Sequence, residues 1–313
     1  MNKLFAERRT RRPEYWIVLA SICMMSVFFY GIRAAAVMGL AAVTAVLTDF
    51  FCLFLQGKAY RTADLSNAAA AVIMVLMFPA TIPYSIVILS TVFMITVGIH
   101  AFGSRGDYLF PPAAVGYLFA LLCWKHEVLQ FPEAGQPLAL FGNDAAVTPS
   151  LSSAILTEHV LKMDVLDLLT GAAPSPMGTG CILLLAVGLL VMVCRRCVSY
   201  WAFLGFVFSI TMLSMWGVIP AAVLFSANML LFALMFLIGD MAAPLQGSFS
   251  VLCGSLITGM LTWVLLEQYH LEYAVIIAVL LTSPVWQLLA AMEKSRQEKR
   301  AALAAEPAAG EEA

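Results

Sequence analysis

Residues 103 to 116 read Gly103-Ser104-Arg105-Gly106-Asp107-Tyr108-Leu109-Phe110-Pro111-Pro112-Ala113-Ala114-Val115-Gly116. This run separates two long apolar segments with glycines, an Arg105/Asp107 charge pair and two prolines. Backbone that leaves the helix beside a bilayer persists only where protein or water satisfies its N–H and C=O groups. Pro112 suits the first turn of a new helix, where its missing N–H costs nothing. Two readings stand: a broken helix pair that lines a site, as in transporters, or a tight turn between neighbouring helices.

Working outward, hydrophobic residues make up 62% of the chain and charged residues 12%, against roughly 25% charged in soluble domains. The composition is that of an all-α, polytopic integral membrane protein in a lipid bilayer. The basic stretch 1–14 runs into one apolar segment and then directly into a second, so no cleavable signal is expected. A net charge of −2 does not suggest nucleic acid. The seven cysteines scatter singly, except Cys194 and Cys197, which argues against a disulfide framework.

Ten apolar segments follow in order, near 15–32, 34–55, 65–78, 84–99, 112–124, 178–194, 200–215, 225–238, 249–266 and 273–289. Several fall short of the roughly 20 residues that a perpendicular span needs. With both termini cytoplasmic, all of the 17 lysines and arginines except Arg33, Lys125 and Lys162 lie inside, as the positive-inside rule asks. The protein is then expected in the cell's inner (cytoplasmic) membrane, with 125–177 as an external connecting loop and 291–313 as a cytoplasmic tail. Starts at 15, 34, 65, 84 and 112 recur at 178, 200, 225, 249 and 273. Two five-helix halves, 15–124 and 178–290, are therefore expected as inverted repeats, with the site between them near the midplane.

The residues also carry a resemblance. Asp64-Leu65-Ser66-Asn67 opens the third segment, and Gly103 to Gly116 matches a G-G-x-G-Q-N-x-x-N-P-A-x-x-G pattern without gaps. Gly103, Gly106, Pro112, Ala113 and Gly116 fit it; Ser104, Asp107, Tyr108 and Pro111 depart. Asp240 keeps the aspartate of a T-D-x-x-T pattern, and Glu272 and Pro284 fall at a P-E-G turn and a last-helix proline. From about Arg61 to Trp124, and from Gly171 to Leu289, the chain resembles the D component of Rnf ion-translocating electron-transport complexes. It is also similar to a relative of that component, the B component of the sodium-pumping NADH:quinone reductases.

The resemblance implies a urea-channel-like inverted-repeat fold that passes electrons through flavins. It implies partners too: the other Rnf-like subunits and, for maturation, a flavin transferase. One flavin of the family is FMN, esterified through its phosphate to a threonine of the external loop; Thr148 is the residue at that place. A second, non-covalent flavin is left open. Ala145, Val147 and Gly142 depart from the attachment pattern. The same resemblance makes Ser66, Asn67, Gly103, Gly106, Pro112 and Gly116 cofactor-binding candidates, and Asp64 and Asp240 ion-pathway candidates. An ionisable group in a membrane segment is costly and points to function, which also brings in Asp49, Asp107 and His100. Interfacial capping is the plain alternative. Cys194-Arg195-Arg196-Cys197 is half a metal site at most and reads as a redox pair or a turn. No catalytic nucleophile–base set, phosphate loop or metal motif is present in the sequence. A flavin-free channel or transporter on the same fold is the competing class.

Overall fold

Helices form along all ten apolar segments in the computed structural model. It describes residues 13–57, 66–104, 107–132, 138–141, 147–150, 152, 155, 169–171, 173–217, 219–227, 229–245 and 247–305. In chain order the first half comprises α1 (Pro13–Tyr30), α2 (Ile32–Leu55), α3 (Ser66–Leu76), α4 (Tyr84–Ala101) and α5 (Pro112–Cys123). After the short α6 (Lys125–Val128) come α7 (Ile182–Cys194), α8 (Tyr200–Ser214), α9 (Ala221–Ala227), α10 (Leu230–Ala242), α11 (Ser248–Tyr269) and α12 (Ala274–Ala305). α1, α2, α4, α11 and the Ala274–Glu298 part of α12 are long and apolar enough to cross a membrane; α3, α5, α7, α8 and α10 are shorter apolar helices.

Proline and glycine set the boundaries. Pro13 opens α1, Pro83 precedes α4, and Pro111 in extended conformation leads into Pro112 at the start of α5, each using a fixed φ where the helix has no N–H to lose. Gly31, at φ 71°, lets α1 reverse into α2 within one residue. The α8–α11 contact is equally close: a Cβ on Gly205 would lie 3.1 Å from the Leu252 carbonyl, and one on Gly259 3.2 Å from that of Phe206. Lipid tails are as apolar as leucine, so such contacts gain dispersion and not hydrophobic free energy.

The core lies where the two halves meet. Phe232 and residues 233–238 of α10 are buried on all sides, as are Met74 to Phe78 at the end of α3. The turn before α7 docks on that end: Gly178 N–H donates to Leu76 O at 2.7 Å, and Met177 N–H to Phe78 O at 3.1 Å. A Cβ on Gly178 would sit 2.7 Å from Leu76 Cβ. This pairing is why the sixth apolar segment becomes helical only at Ile182 and not at residue 178. The eighth segment also differs from expectation: α9 stops at Ala227, and α10 starts after Met229 at φ 38°. Phe28, Met24, Leu190 and Phe249 point outward and are exposed. An apolar surface of that extent belongs against another apolar phase.

Two helices carry π-turns, Met94–Ala101 in α4 and Leu234–Ile238 in α10. The connections hold two small antiparallel hairpins, β1 (Gly103–Ser104) with β2 (Asp107–Tyr108) and β3 (Gln130–Pro132) with β4 (Val147–Pro149).

Candidate functional site

Ser66 and Asn67 form the first turn of α3, ahead of the alanines 68–71 that keep this helix slim against α2. Asn67 is 3% exposed. Tyr108 Oη donates to its Oδ1 at 3.5 Å, and Gln287 Nε2 of α12 donates to the Tyr108 carbonyl at 2.8 Å. The β1–β2 hairpin, registered Gly103 to Tyr108, thereby joins the start of α3 to the last helix of the second half. Asn67 Nδ2 is buried with no hydrogen-bond partner among the described residues. A buried amide in that state costs about 1–3 kcal/mol, so the position favours a ligand that presents an acceptor.

Other sequence candidates divide. Pro112 starts α5 as expected. Gly116 is a packing position: a Cβ there would overlap Met74 Sδ and lie 2.8 Å from Met94 Cβ. Gly103 sits in β1, while Gly106 and Asp64 lie outside the described residues. Tyr108 and Gln287 were not candidates. Tyr108 carried a signal, being a departure from the expected pattern, whereas nothing local marks Gln287.

Thr148 occupies β4 opposite Phe131. It is half-buried, and its Oγ1 donates to the Phe131 carbonyl at 3.5 Å, a long bond. The neighbouring Ser150 is buried and donates to Glu272 Oε2 in the α11–α12 turn. Burial pushes the Glu272 carboxyl up from its ordinary value, while the Ser150 hydroxyl and the Lys125 ammonium pull it back. Beneath lies Tyr117 of α5, stacked on Phe78 with ring centroids 5.3 Å apart, its buried hydroxyl without a partner among the described residues. The Thr148 strand is thus fastened at Ser150, and the threonine hydroxyl needs no part in that anchor.

Asp240 is exposed in the last turn of α10, just after the π-segment. Asp49 and His100 meet across α2 and α4 at 3.0 Å. Cys194 and Cys197 flank a helix end: Arg196 takes φ 58°, Cys197 N–H donates to Met192 O, and Arg196 N–H donates to Val193 O. That is a Schellman cap, and neither cysteine is in a disulfide.

The sequence profile of the NQR2, RnfD, RnfE family matches residues 6–299. The chain belongs to that family. Among curated members it is 31% identical over 147 residues to the D component of the ion-translocating oxidoreductase complex of Pectobacterium atrosepticum, covering 45% of this chain and 42% of that protein. The same-named component of Pectobacterium carotovorum is 32% identical over 147 residues, with the same shares covered. That of Haemophilus influenzae is 28% identical over 117 residues, covering 36% of this chain and 33% of that protein. The matched stretch is less than half the length of each of these relatives. This NQR2, RnfD, RnfE family member is a multi-pass membrane protein, and the family match encloses the Asn67 junction, Thr148 and Glu272 alike.

Proposed function

We propose that this chain is the membrane component of an Rnf-type ion-translocating electron-transport complex, in which electrons pass through flavin and Na⁺ or H⁺ moves in response. The observation that carries the proposal is the buried Asn67 Nδ2, without a partner among the described residues, at a junction of both halves inside the family match. A flavin ring edge offers the carbonyl and ring-nitrogen acceptors that this amide lacks. The residues fit such a group there: Asn67 would donate to it, and the Tyr108 carbonyl, held by Gln287, keeps the hairpin in position. Thr148 fits an FMN phosphoester, since its hydroxyl gives up only a long bond and Val147 and Pro149 beside it are exposed. Bound flavin would supply the one- and two-electron chemistry; the chain supplies binding and electrostatics.

Ten crossings in two inverted halves are part of this reading. The contacts at the helix ends support two faces. On one, Arg33 meets residues 80–82 and 139, Ser150 meets Glu272, and Gly217 meets Glu267. On the other, Gln56 meets His100, Glu14 meets Arg195, and Gly247 meets Glu293. The chain alternates between these faces through α1, α2, α3, α4, α5, α7, α8, α9–α10, α11 and α12. The second face is the cytoplasmic one in this reading, the connection 125–177 lies outside, and the membrane is the inner membrane. The partners are the other members of the complex and a flavin transferase.

The test is mass spectrometry of the Thr148 peptide from protein co-expressed with a flavin transferase. A mass increase equal to esterified FMN, absent from Thr148→Ala, is expected. An unmodified peptide at full occupancy removes the covalent cofactor.

A further inference from the structure

Asp49 and His100 make a polar pair inside the apolar first half, built from residues other than those of the Asn67 junction and Thr148. Asp49 lies on α2 with its side chain 2% exposed, and His100, on the π-turn of α4, is 12% exposed. His100 Nε2 stands 3.0 Å from Asp49 Oδ1, and Nδ1 stands 3.2 Å from Gln56 Nε2 at the C-terminal end of α2. One helix therefore grips both ring nitrogens. The π-turn that carries the imidazole there is a backbone form common at functional sites.

The geometry accommodates two states. With Gln56 Nε2 donating to Nδ1, the neutral ring donates its Nε2–H to the Asp49 carboxylate. When Nδ1 takes a proton, a half-turn of the Gln56 amide presents its oxygen as acceptor, so both hydrogen bonds survive. Gln56 and Gly57 are exposed, which gives water a route to the ring while Asp49 stays sealed. Cys52, one turn on from Asp49, is the other titratable group on that stretch of α2. Apart from His100, helices α3, α4 and α5 carry no acidic, basic or histidine residue. α1 brings Glu14, which faces Arg195 at 4.0 Å, and Arg105 and Asp107 follow α4 in the sequence, their side chains outside the described residues.

We propose that Asp49, His100 and Gln56 form a proton-loading site, so that the ion taken up by this half is H⁺. This rests on the reading of the chain as part of an ion-moving complex. A proton passes from water to Nδ1 and returns to water, with no electron exchanged and no other bond made. Hard metal cations take shells of oxygen ligands, whereas the His100 ring presents nitrogen on both sides of this cluster. A histidine held by a carboxylate suits a proton.

The test uses membrane vesicles carrying the complete complex, a pH-sensitive dye and an added electron donor. Asp49→Asn and His100→Gln should each reduce proton movement by about tenfold or more. Electron transfer in uncoupler-treated vesicles should stay within about twofold of wild type, and Cys52→Ala should change neither. If Asp49→Asn fails to assemble, Gln56→Leu at the exposed rim serves in its place and should also slow proton movement. Wild-type proton movement in these variants overturns the proposal. So does a wild-type complex that moves Na⁺ and shifts protons only secondarily, a result that leaves the broader reading intact. A complex that transfers no electrons overturns that broader reading instead. ¹⁵N-histidine NMR of the purified chain then decides the site: acidification should convert His100 from an Nε2-protonated to a doubly protonated ring. A ring fixed in one form overturns the proposal.

Discussion

Arg33→Leu offers the most quantitative perturbation. Arg33 is 3% exposed at the start of α2, and its guanidinium donates to the carbonyls of Ala80 at 2.9 Å, Thr81 at 3.1 Å, and Ile82 and Ala139 at 3.4 Å. It also lies 5.4 Å from the centre of the Tyr84 ring. Three of these carbonyls belong to the Pro79–Pro83 turn between α3 and α4, which has no ladder of its own to satisfy them. Leucine keeps the bulk and removes every donor. Hydrogen bonds from a charged group are worth about 1.5–3 kcal/mol each, and a carbonyl left bare in the interior costs about 1–3 kcal/mol. Counting only the two shorter bonds, the loss is about 3 kcal/mol, which at roughly 2 °C per kcal/mol lowers the melting temperature by about 6 °C. Arg33→Lys keeps one point donor in place of the fork and should recover about half of this. The assay is thermal unfolding of detergent-purified protein, followed by size-exclusion chromatography. A melting temperature for Arg33→Leu within about 1 °C of wild type would refute the reasoning, as would Arg33→Lys losing as much as Arg33→Leu.

Three further outcomes are expected. Gly116→Val should cost about 2 kcal/mol by overpacking α3 against α4 and α5, seen as a lower melting temperature; no change would mean that the helices part freely there. Burial raises the Glu272 carboxyl above its unfolded value of 4.5, so the native state binds more protons, and the wild type loses stability relative to Glu272→Gln as pH rises from 4.5 through the raised value. A stability difference between the two proteins that stays flat over that rise would contradict it. Single cysteines at Asn143 and Ser295, in a background without native cysteines, test the topology: an impermeant thiol reagent on intact cells should label the first and not the second, and the reverse pattern overturns it.

Where the helices lie was legible because apolar length is written directly in the chain: Pro13, Pro83 and Pro112 mark starts, and Gly31 marks a reversal. The tenth segment proved longer than its apolar part, since α12 runs to Ala305 with Lys294 and Glu298 one turn apart. Its Pro284 lies within the helix, as membrane helices tolerate when neighbouring groups satisfy the freed carbonyl. The π-turns in α4 and α10 left no trace in residue type, because they depend on what the helix packs against. Asn67 was visible as a candidate, but the lack of a partner for its Nδ2 among the described residues was not, nor was the reach of Gln287 to Tyr108 across the molecule. Asp49 and His100 were each marked as costly charges in a membrane segment; their meeting depends on the π-turn.

The proposed flavin binding is tested most directly by an absorption spectrum of the purified protein before and after denaturation. A flavin spectrum is expected in the native protein, with part of it remaining on the polypeptide after denaturation and vanishing in Thr148→Ala. A protein purified from cells that supply the flavin transferase and the rest of the complex, yet without flavin absorbance in either state, would contradict flavin binding and leave a flavin-free channel or transporter on the same fold.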